Sequence, residues 1–284
     1  MQRHRIIGGD RVELNVMETG DPDGRPIVFI HGFTQSLYAW KQQLNSDLAD
    51  DFRLVALDIR GHGESDKPAT PESYTNSKLW ADDVNAVVTQ LGLDRPVLVG
   101  WSYAPLIILD YLRHYGESNI SGIHFVGGIT KLGTEEATGY LTPSILNLVP
   151  GLFSSDVMES SRSLRSLTDL FFANEPAIED IYFMLGYETI VPPLVRQSLF
   201  SRVLDNDDIL STSNIPLLIT HSAEDRIVFS AASKQIASVH PNAELDQPEY
   251  VGHAMFWEDP ERFNARLREF VTNIPQSNAA RSGE

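Results

Sequence analysis

Short apolar runs alternate with longer amphipathic stretches along most of this chain, and that alternation predicts a fold class. RVELNVMETG (11–20) switches between apolar and polar residues with period two, as a strand with one wet face does. PIVFIHG (26–32), FRLVALDIRGHG (52–63), PVLVG (96–100) and SGIHFVGG (121–128) are instead compact apolar runs leading into glycine, the pattern of strands covered on both faces. IPLLITHSAED (215–225) and the weaker AELDQPEYVGH (243–253) follow the same plan. Helical spacing fills the intervals. SKLWADDVNAVVTQLGL (77–93) repeats Leu79, Val84, Val87, Val88 and Leu91 on one face and stops at Gly92. APLIILDYLRHYG (104–116) closes at Gly116, and EDPERFNARLREFVTNI (258–274) is entered through Asp259 and Pro260. Strands separated by helices imply right-handed crossovers, hence a mostly parallel sheet with helices on both faces.

One interval breaks the rhythm. From about Thr130 to Asn214 no strand is evident, while helical pieces carry Phe171, Phe172, Tyr182, Phe183, Met184 and Tyr187. These aromatic and sulfur-bearing side chains pack a helical subdomain, or some of them face a pocket beneath a lid. The chain therefore divides into a first core segment (1–129), a helical cap insertion (130–214), a second core segment (215–275) and a solvated tail (276–284).

Composition narrows the function. The 284 residues suit one large domain carrying an insertion. A formal net charge of −17 disfavours nucleic acid and anionic membrane surfaces as partners. There is no cysteine, which removes disulfides, thiolate nucleophiles and thiolate metal sites together. MQRHRIIGGD lacks the apolar run of a signal peptide, and no stretch is long and apolar enough for a membrane span. A cytoplasmic location is the expectation, and the oligomeric state is left open.

Candidate chemistry begins in PVLVGWSYAPLII (96–108). In a parallel sheet, a residue just past a strand's carboxyl end faces the crevice where ligands collect. A serine in a sharp strand-to-helix turn there exposes its hydroxyl, and small residues two before and two after it relieve the crowding. Gly100-Trp101-Ser102-Tyr103-Ala104 has this form, with Ala104 where glycine is usual. Pro105 suits a first helical turn.

A serine hydroxyl needs a base, and the base needs an orienting carboxylate. Of the eight histidines, His4 is terminal, His114 lies in a helix, His124 is on a strand, His221 ends one, and His240 precedes Pro241. His31 and His62 sit in glycine-flanked loops. His253, in YVGHAMFWEDPERF, follows the last strand and precedes the final helix. Asp225, in LLITHSAEDRIV, ends another strand loop and could equally be a turn residue or pair with Arg226. The order Ser102, Asp225, His253 is that expected of this sheet architecture. The backbone N–H groups of Phe33 and Tyr103 are the candidate oxyanion donors, the second helped by a helix dipole. Trp101 and His31 are candidate pocket residues beside them.

HGF (31–33), DIRGHGES (58–65), GWSYA (100–104), AEDRIV (223–228) and GHAMFWEDPERF (252–263) occur together in this order. On these motifs the chain resembles the α/β-hydrolase superfamily over residues 10 to 275. It is most similar to the serine esterase branch that includes cofactor-free, non-haem haloperoxidase-like enzymes. That resemblance implies a Ser102–Asp225–His253 triad, a helical cap, and neither metal nor haem. A serine at 102 disfavours the chemistry of haloalkane dehalogenases and epoxide hydrolases of this fold, which use aspartate there. Haloperoxidase-like relatives often carry proline where this chain has Thr34, so hydrolysis is expected to dominate over perhydrolysis. The expected activity is cleavage of small carboxylic esters through an acyl-enzyme on Ser102. Lactone, thioester or carbon–carbon bond hydrolysis, perhydrolysis, and a slowly reacting ligand sensor are the alternatives.

Overall fold

A computed structural model describes residues 1–275; the expected solvated tail, 276–284, lies outside the described residues. The main sheet is built from β1 (Gln2–Ile7), β2 (Glu13–Gly20), β3 (Arg25–Ile30), β4 (Phe52–Leu57), β5 (Val97–Trp101) and β6 (Gly122–Val126). After a two-residue pair, β7 (Lys131–Leu132) and β8 (Leu204–Asp205), come β9 (Leu217–Thr220) and β10 (Ala243–Asp246). The eight-stranded sheet has the order β1-β2-β4-β3-β5-β6-β9-β10. β2 runs antiparallel to both β1 and β4, and from β4 to β10 every pairing is parallel.

The helices are α1 (Lys41–Leu44), α2 (Glu72–Thr75), α3 (Ser77–Gln90) and α4 (Ala104–Tyr115). Between β6 and β9 lie α5 (Glu135–Gly139), α6 (Pro143–Leu152), α7 (Val157–Leu170), α8 (Ile178–Thr189), α9 (Pro193–Phe200) and α10 (Asp207–Thr212). α11 (Ala231–Val239), α12 (Met255–Glu258) and α13 (Pro260–Asn273) complete the chain. α3, α4 and α11 are the crossovers that return the chain for β5, β6 and β10. The expected signals appear at the helix ends: Gly92, at φ 60°, follows α3, Gly116 ends α4 at φ 70°, and Asp259 caps α13 with Pro260 in its first turn; the Asn76 side-chain cap of α3 was not foreseen.

β5 and β6 are buried along their whole length, as their apolar character leads one to expect; the one polar side chain in them, His124 of β6, bonds Thr220 Oγ1 at 2.8 Å. β1 was not foreseen. Of its six residues only Ile6 is buried, and Arg3 and Arg5 engage Glu64 along this edge. Charges on an edge strand discourage pairing with another chain and erase the apolar alternation that would have announced it. The expectation of no strand between 130 and 214 also needs correction. β7 and β8 pair antiparallel there, Lys131 with Asp205 and Leu132 with Leu204. Two residues are too few to make a pattern. The pair joins the two ends of the helical segment, and the buried Lys131 ammonium reinforces it through Asp207 at 2.7 Å, Glu136 at 3.0 Å and Asp205 at 3.3 Å. No helix of the described residues is long and apolar enough to cross a membrane.

Candidate active site

Ser102 stands between the end of β5 and the start of α4 with φ 60°, a left-handed conformation that costs a non-glycine residue about 1–3 kcal/mol. The neighbours explain why this turn closes. A Cβ on Gly100 would lie 2.7 Å from Ile108 Cδ1 and 3.2 Å from the Ala104 methyl. Strand and helix thus leave room for one methyl between them, and Ala104 supplies it, so the departure from glycine at 104 is accommodated. Pro105 is matched in the same way: a Cβ on Gly128 would come within 2.4 Å of Pro105 Cγ.

The loop after β3 passes directly against this turn. A Cβ on Gly32 would be 2.9 Å from Ser102 Cβ. The amides of Phe33 and Tyr103 flank the serine, and neither donates to a protein acceptor among the described residues. Thr34 has φ 63° and its N–H donates to His62 Nε2 at 3.2 Å. Proline could supply neither that backbone angle nor that N–H.

His31 and His62 serve the loop. His31 Nδ1–H donates to Gly32 O at 2.8 Å, and its Nε2 accepts from the Ile59 amide at 3.1 Å. His62 Nδ1–H donates to Arg60 O at 3.0 Å. Burial pushes His31 down to about 4, and burial with His31 alongside holds His62 well below its ordinary range. His31 was expected at the substrate pocket. It is fully buried and does not line the cavity beside Ser102, because both ring nitrogens are spent on backbone.

Asp225 and His253 meet beside Gly127, just past the end of β6. His253 Nδ1–H donates to Asp225 Oδ2 at 2.7 Å, so in the neutral ring Nε2 is the nitrogen that can accept a proton. Asp225 Oδ1 accepts the amides of Ile227 at 2.8 Å and Val228 at 2.9 Å. Burial alone would raise this carboxyl, but the His253 and His221 imidazoles hold it well below the usual carboxylate range. Arg226 is not its partner; that guanidinium reaches the Asp169 carbonyl at 3.2 Å. A Cβ on Gly127 would be 3.2 Å from His253 Nδ1 and 3.3 Å from Asp225 Oδ2, and the Ser102 amide donates to the preceding carbonyl, that of Val126, at 2.9 Å. Serine and histidine therefore flank the same strand end. His253 Nε2 bonds no protein group among the described residues; links of this kind are often long until substrate is bound.

Trp101 ties the two halves together. Its Nε1–H donates to His253 O at 3.0 Å, and its ring packs edge-on against Phe171 and Phe256. The His253 loop also leans on the helical segment: Ala254 N donates to Phe171 O at 2.8 Å, and a Cβ on Gly252 would be 2.6 Å from Ala173 N. A cavity of about 40 Å³ opens at Ser102, lined by Gly32, Phe33, Trp101, Tyr103, Ile129, Leu141, Ile145, Leu167, Phe171, Phe200, Ile227 and Val228. Apart from the serine hydroxyl and the tyrosine, every lining side chain is apolar. The Tyr103 hydroxyl donates to Leu199 O at 3.0 Å. Of the six residues singled out in the helical segment, Phe171 alone lines this cavity. Tyr182 is exposed, Met184 is buried, and Phe183 and Tyr187 pack around Tyr38.

A buried strut from α8, not foreseen from the sequence, also reaches the loop carrying Phe33. Glu188 Oε1 accepts from Gln35 Nε2 at 2.9 Å, and Oε2 lies 2.9 Å from Thr168 Oγ1. Burial raises Glu188 well above the usual carboxylate range, although both hydrogen bonds pull the other way. A protonated carboxyl also solves a counting problem. Thr168 Oγ1 has one proton but lies within hydrogen-bond reach of Leu164 O, at 3.1 Å, as well as Glu188. With Glu188 donating to Thr168, Thr168 is free to donate to Leu164. The unfolded chain releases this proton above about pH 4.3 while the folded chain keeps it, so the contribution of Glu188 to stability is present below that pH and is lost as pH rises. Glu188→Gln is expected to stabilise the fold by about 1–3 kcal/mol at pH 8 and to change little at pH 4. Urea unfolding at both pH values checks this, and equal effects at the two would mean the carboxyl is already ionised.

Comparison with known proteins accords with this architecture. The sequence model of the alpha/beta hydrolase fold family matches residues 25–260. The crystal structure of the esterase RhEst1 from Rhodococcus sp. ECU1013 superposes with a TM-score of 0.91 at 33% identity, covering 97% of this chain and 100% of that one. The non-heme chloroperoxidase CPO-A1 of Kitasatospora aureofaciens is 28% identical over 276 residues, 92% of this chain and 97% of its own. The AB hydrolase superfamily protein YisY of Bacillus subtilis is 26% identical over 272 residues, 94% of this chain and 98% of its own. Haloperoxidase-like relatives and esterase neighbours thus surround it, as the motifs led us to expect. The chain belongs to the α/β-hydrolase fold family.

Proposed function

We propose that this protein is a serine hydrolase that cleaves small, uncharged carboxylic esters through an acyl-enzyme on Ser102. The reading is carried by the Asp225–His253 pair, whose satisfied carboxylate sets the imidazole tautomer beside the strained serine turn. In this mechanism His253 Nε2 takes the Ser102 proton as Oγ attacks the carbonyl carbon. The Phe33 and Tyr103 amides receive the oxyanion, and loss of one such donor typically lowers turnover ~10²–10³-fold. His253 returns the proton to the leaving alcohol. Water, deprotonated by the same nitrogen, then releases the acid and restores Ser102.

The cavity supports a substrate class. About 40 Å³ holds roughly three water-sized groups, room for an acyl chain of a few carbons, and its walls offer no charged side chain. We assign residues 130–214 as a cap over this acyl site, since Ile145, Leu167, Phe171 and Phe200 come from it. Hydrolysis is favoured over perhydrolysis because the backbone at Thr34 excludes the proline common in haloperoxidase-like relatives. Fluorophosphonate labelling with peptide mapping should modify Ser102. Among p-nitrophenyl esters, kcat/KM should peak between acetate and butyrate and fall at least ~10-fold by octanoate, as overpacking of a filled cavity predicts. Labelling elsewhere, or a preference for octanoate, would contradict the assignment.

A further inference from the structure

Asp225 carries a second imidazole that the proposed reaction leaves unused. His221, at the end of β9, places Nε2 3.2 Å from Asp225 Oδ2 and 3.0 Å from the Val228 carbonyl. A carbonyl and an ionised carboxylate can only accept, so Nε2 carries a proton and is shared between them. His221 Nδ1 is buried and has no hydrogen-bond partner among the described residues. The bonds therefore account for the Nε2–H, while Nδ1 contributes nothing to holding Asp225.

The groups around this ring are otherwise engaged. From β10, Asp246 accepts the His221 amide through its carbonyl, while its carboxylate holds Arg262 at 2.6 Å. From β6, His124 bonds Thr220 Oγ1 at 2.8 Å. In the loop itself Glu224 accepts from Ser222 Oγ at 2.6 Å, and Arg226 is turned to Asp169. Near His253, Glu258 accepts the amides of Gly252, Ala173 and Asn174. Asp225 and Val228 O alone bond the His221 ring nitrogens.

We propose that His221 is a positioning residue: its shared Nε2–H holds Asp225 Oδ2 in place for His253 and weakens the carboxylate's hold on the His253 imidazolium. This rests on the Ser102–Asp225–His253 reading above. A carboxylate with four donors is a weaker acceptor for any one of them than a carboxylate with three. Removing His221 therefore strengthens the pull of Asp225 on a protonated His253, and the base form appears only at higher pH.

The test is the pH profile of kcat/KM for p-nitrophenyl butyrate between pH 5 and 9. His221→Leu is expected to move the acid limb upward by about 0.5–1 pH unit, part of the worth of one hydrogen bond to a charge. His221→Gln, which keeps an N–H near the Nε2 position, should restore the wild-type limb. A loss of plateau activity in His221→Leu with no upward movement would reduce His221 to a packing role and overturn the proposal. Nitrogen-15 NMR of the wild-type imidazoles decides the matter even if the Leu variant does not fold. An Nε2–H at 221 is expected, and a ring protonated on Nδ1 alone overturns the assignment. Controls separate this from the parent reading. If Ser102→Ala keeps wild-type turnover, both fall; if Ser102→Ala and His253→Ala are inactive while the His221→Leu limb stays put, only the role of His221 falls.

Discussion

Ser102→Ala is expected to lower kcat for p-nitrophenyl butyrate by about 10⁶-fold, the loss seen when a nucleophile that acts as one unit with its base is deleted. Alanine keeps the Cβ that Gly32 packs against and removes a hydroxyl with no partner in the turn, so the fold should survive. Alanine must still adopt φ 60°, a strain already present in the wild type, so the melting temperature should change little. The two amides and the cavity remain, and with them a residual rate of about 10³–10⁴ over water. Steady-state kinetics on protein whose melting curve matches the wild type is the measurement. A variant retaining more than a few per cent of wild-type kcat would remove Ser102 from the reaction.

The second large effect is at Asp225. Asp225→Asn is expected to lower kcat by about 10⁴-fold, and here the cause is specific. Oδ1 receives two backbone amides, from Ile227 and Val228. An asparagine must keep its carbonyl oxygen on that side, which turns its NH2 toward His253 Nδ1 and His221 Nε2. The imidazole of His253 then has to accept at Nδ1, and the proton moves to Nε2, the atom that should take the Ser102 proton. The amide also meets the His221 N–H donor to donor, so this variant should lose stability as well, by about 1–3 kcal/mol for buried groups left unpaired. Turnover and urea unfolding on the same preparation check both. A variant with wild-type kcat would mean that Asp225 does not orient the base.

Much of this was legible along the chain, and the reasons are local. Buried parallel strands are mostly apolar, so β3 to β6 and β9 stand out. Helix entry and exit need particular residues, so Gly92, Gly116, Asp259 and Pro260 mark ends of α3, α4 and α13. What escaped notice was either too short for a pattern, as with β7 and β8, or polar on both faces, as with the edge strand β1. His31 was misplaced because a histidine in a glycine loop at a strand end looks the same whether it faces a ligand or two backbone groups.

Periodicity and turn chemistry, which act over a few residues, were therefore enough to specify a mostly parallel sheet with helical crossovers, and to set Ser102, Asp225 and His253 in loops that follow apolar runs. Partnerships between distant residues had to wait for the tertiary structure: Ala104 filling the space Gly100 leaves, Glu188 reaching Gln35 across 153 positions, and His221 sharing Asp225 with His253. A hydrogen bond depends on where two atoms end up in space, and residue type at a given spacing constrains that only within one element. Packing across elements decided which polar groups were spent on the fold and which were left to face the cavity.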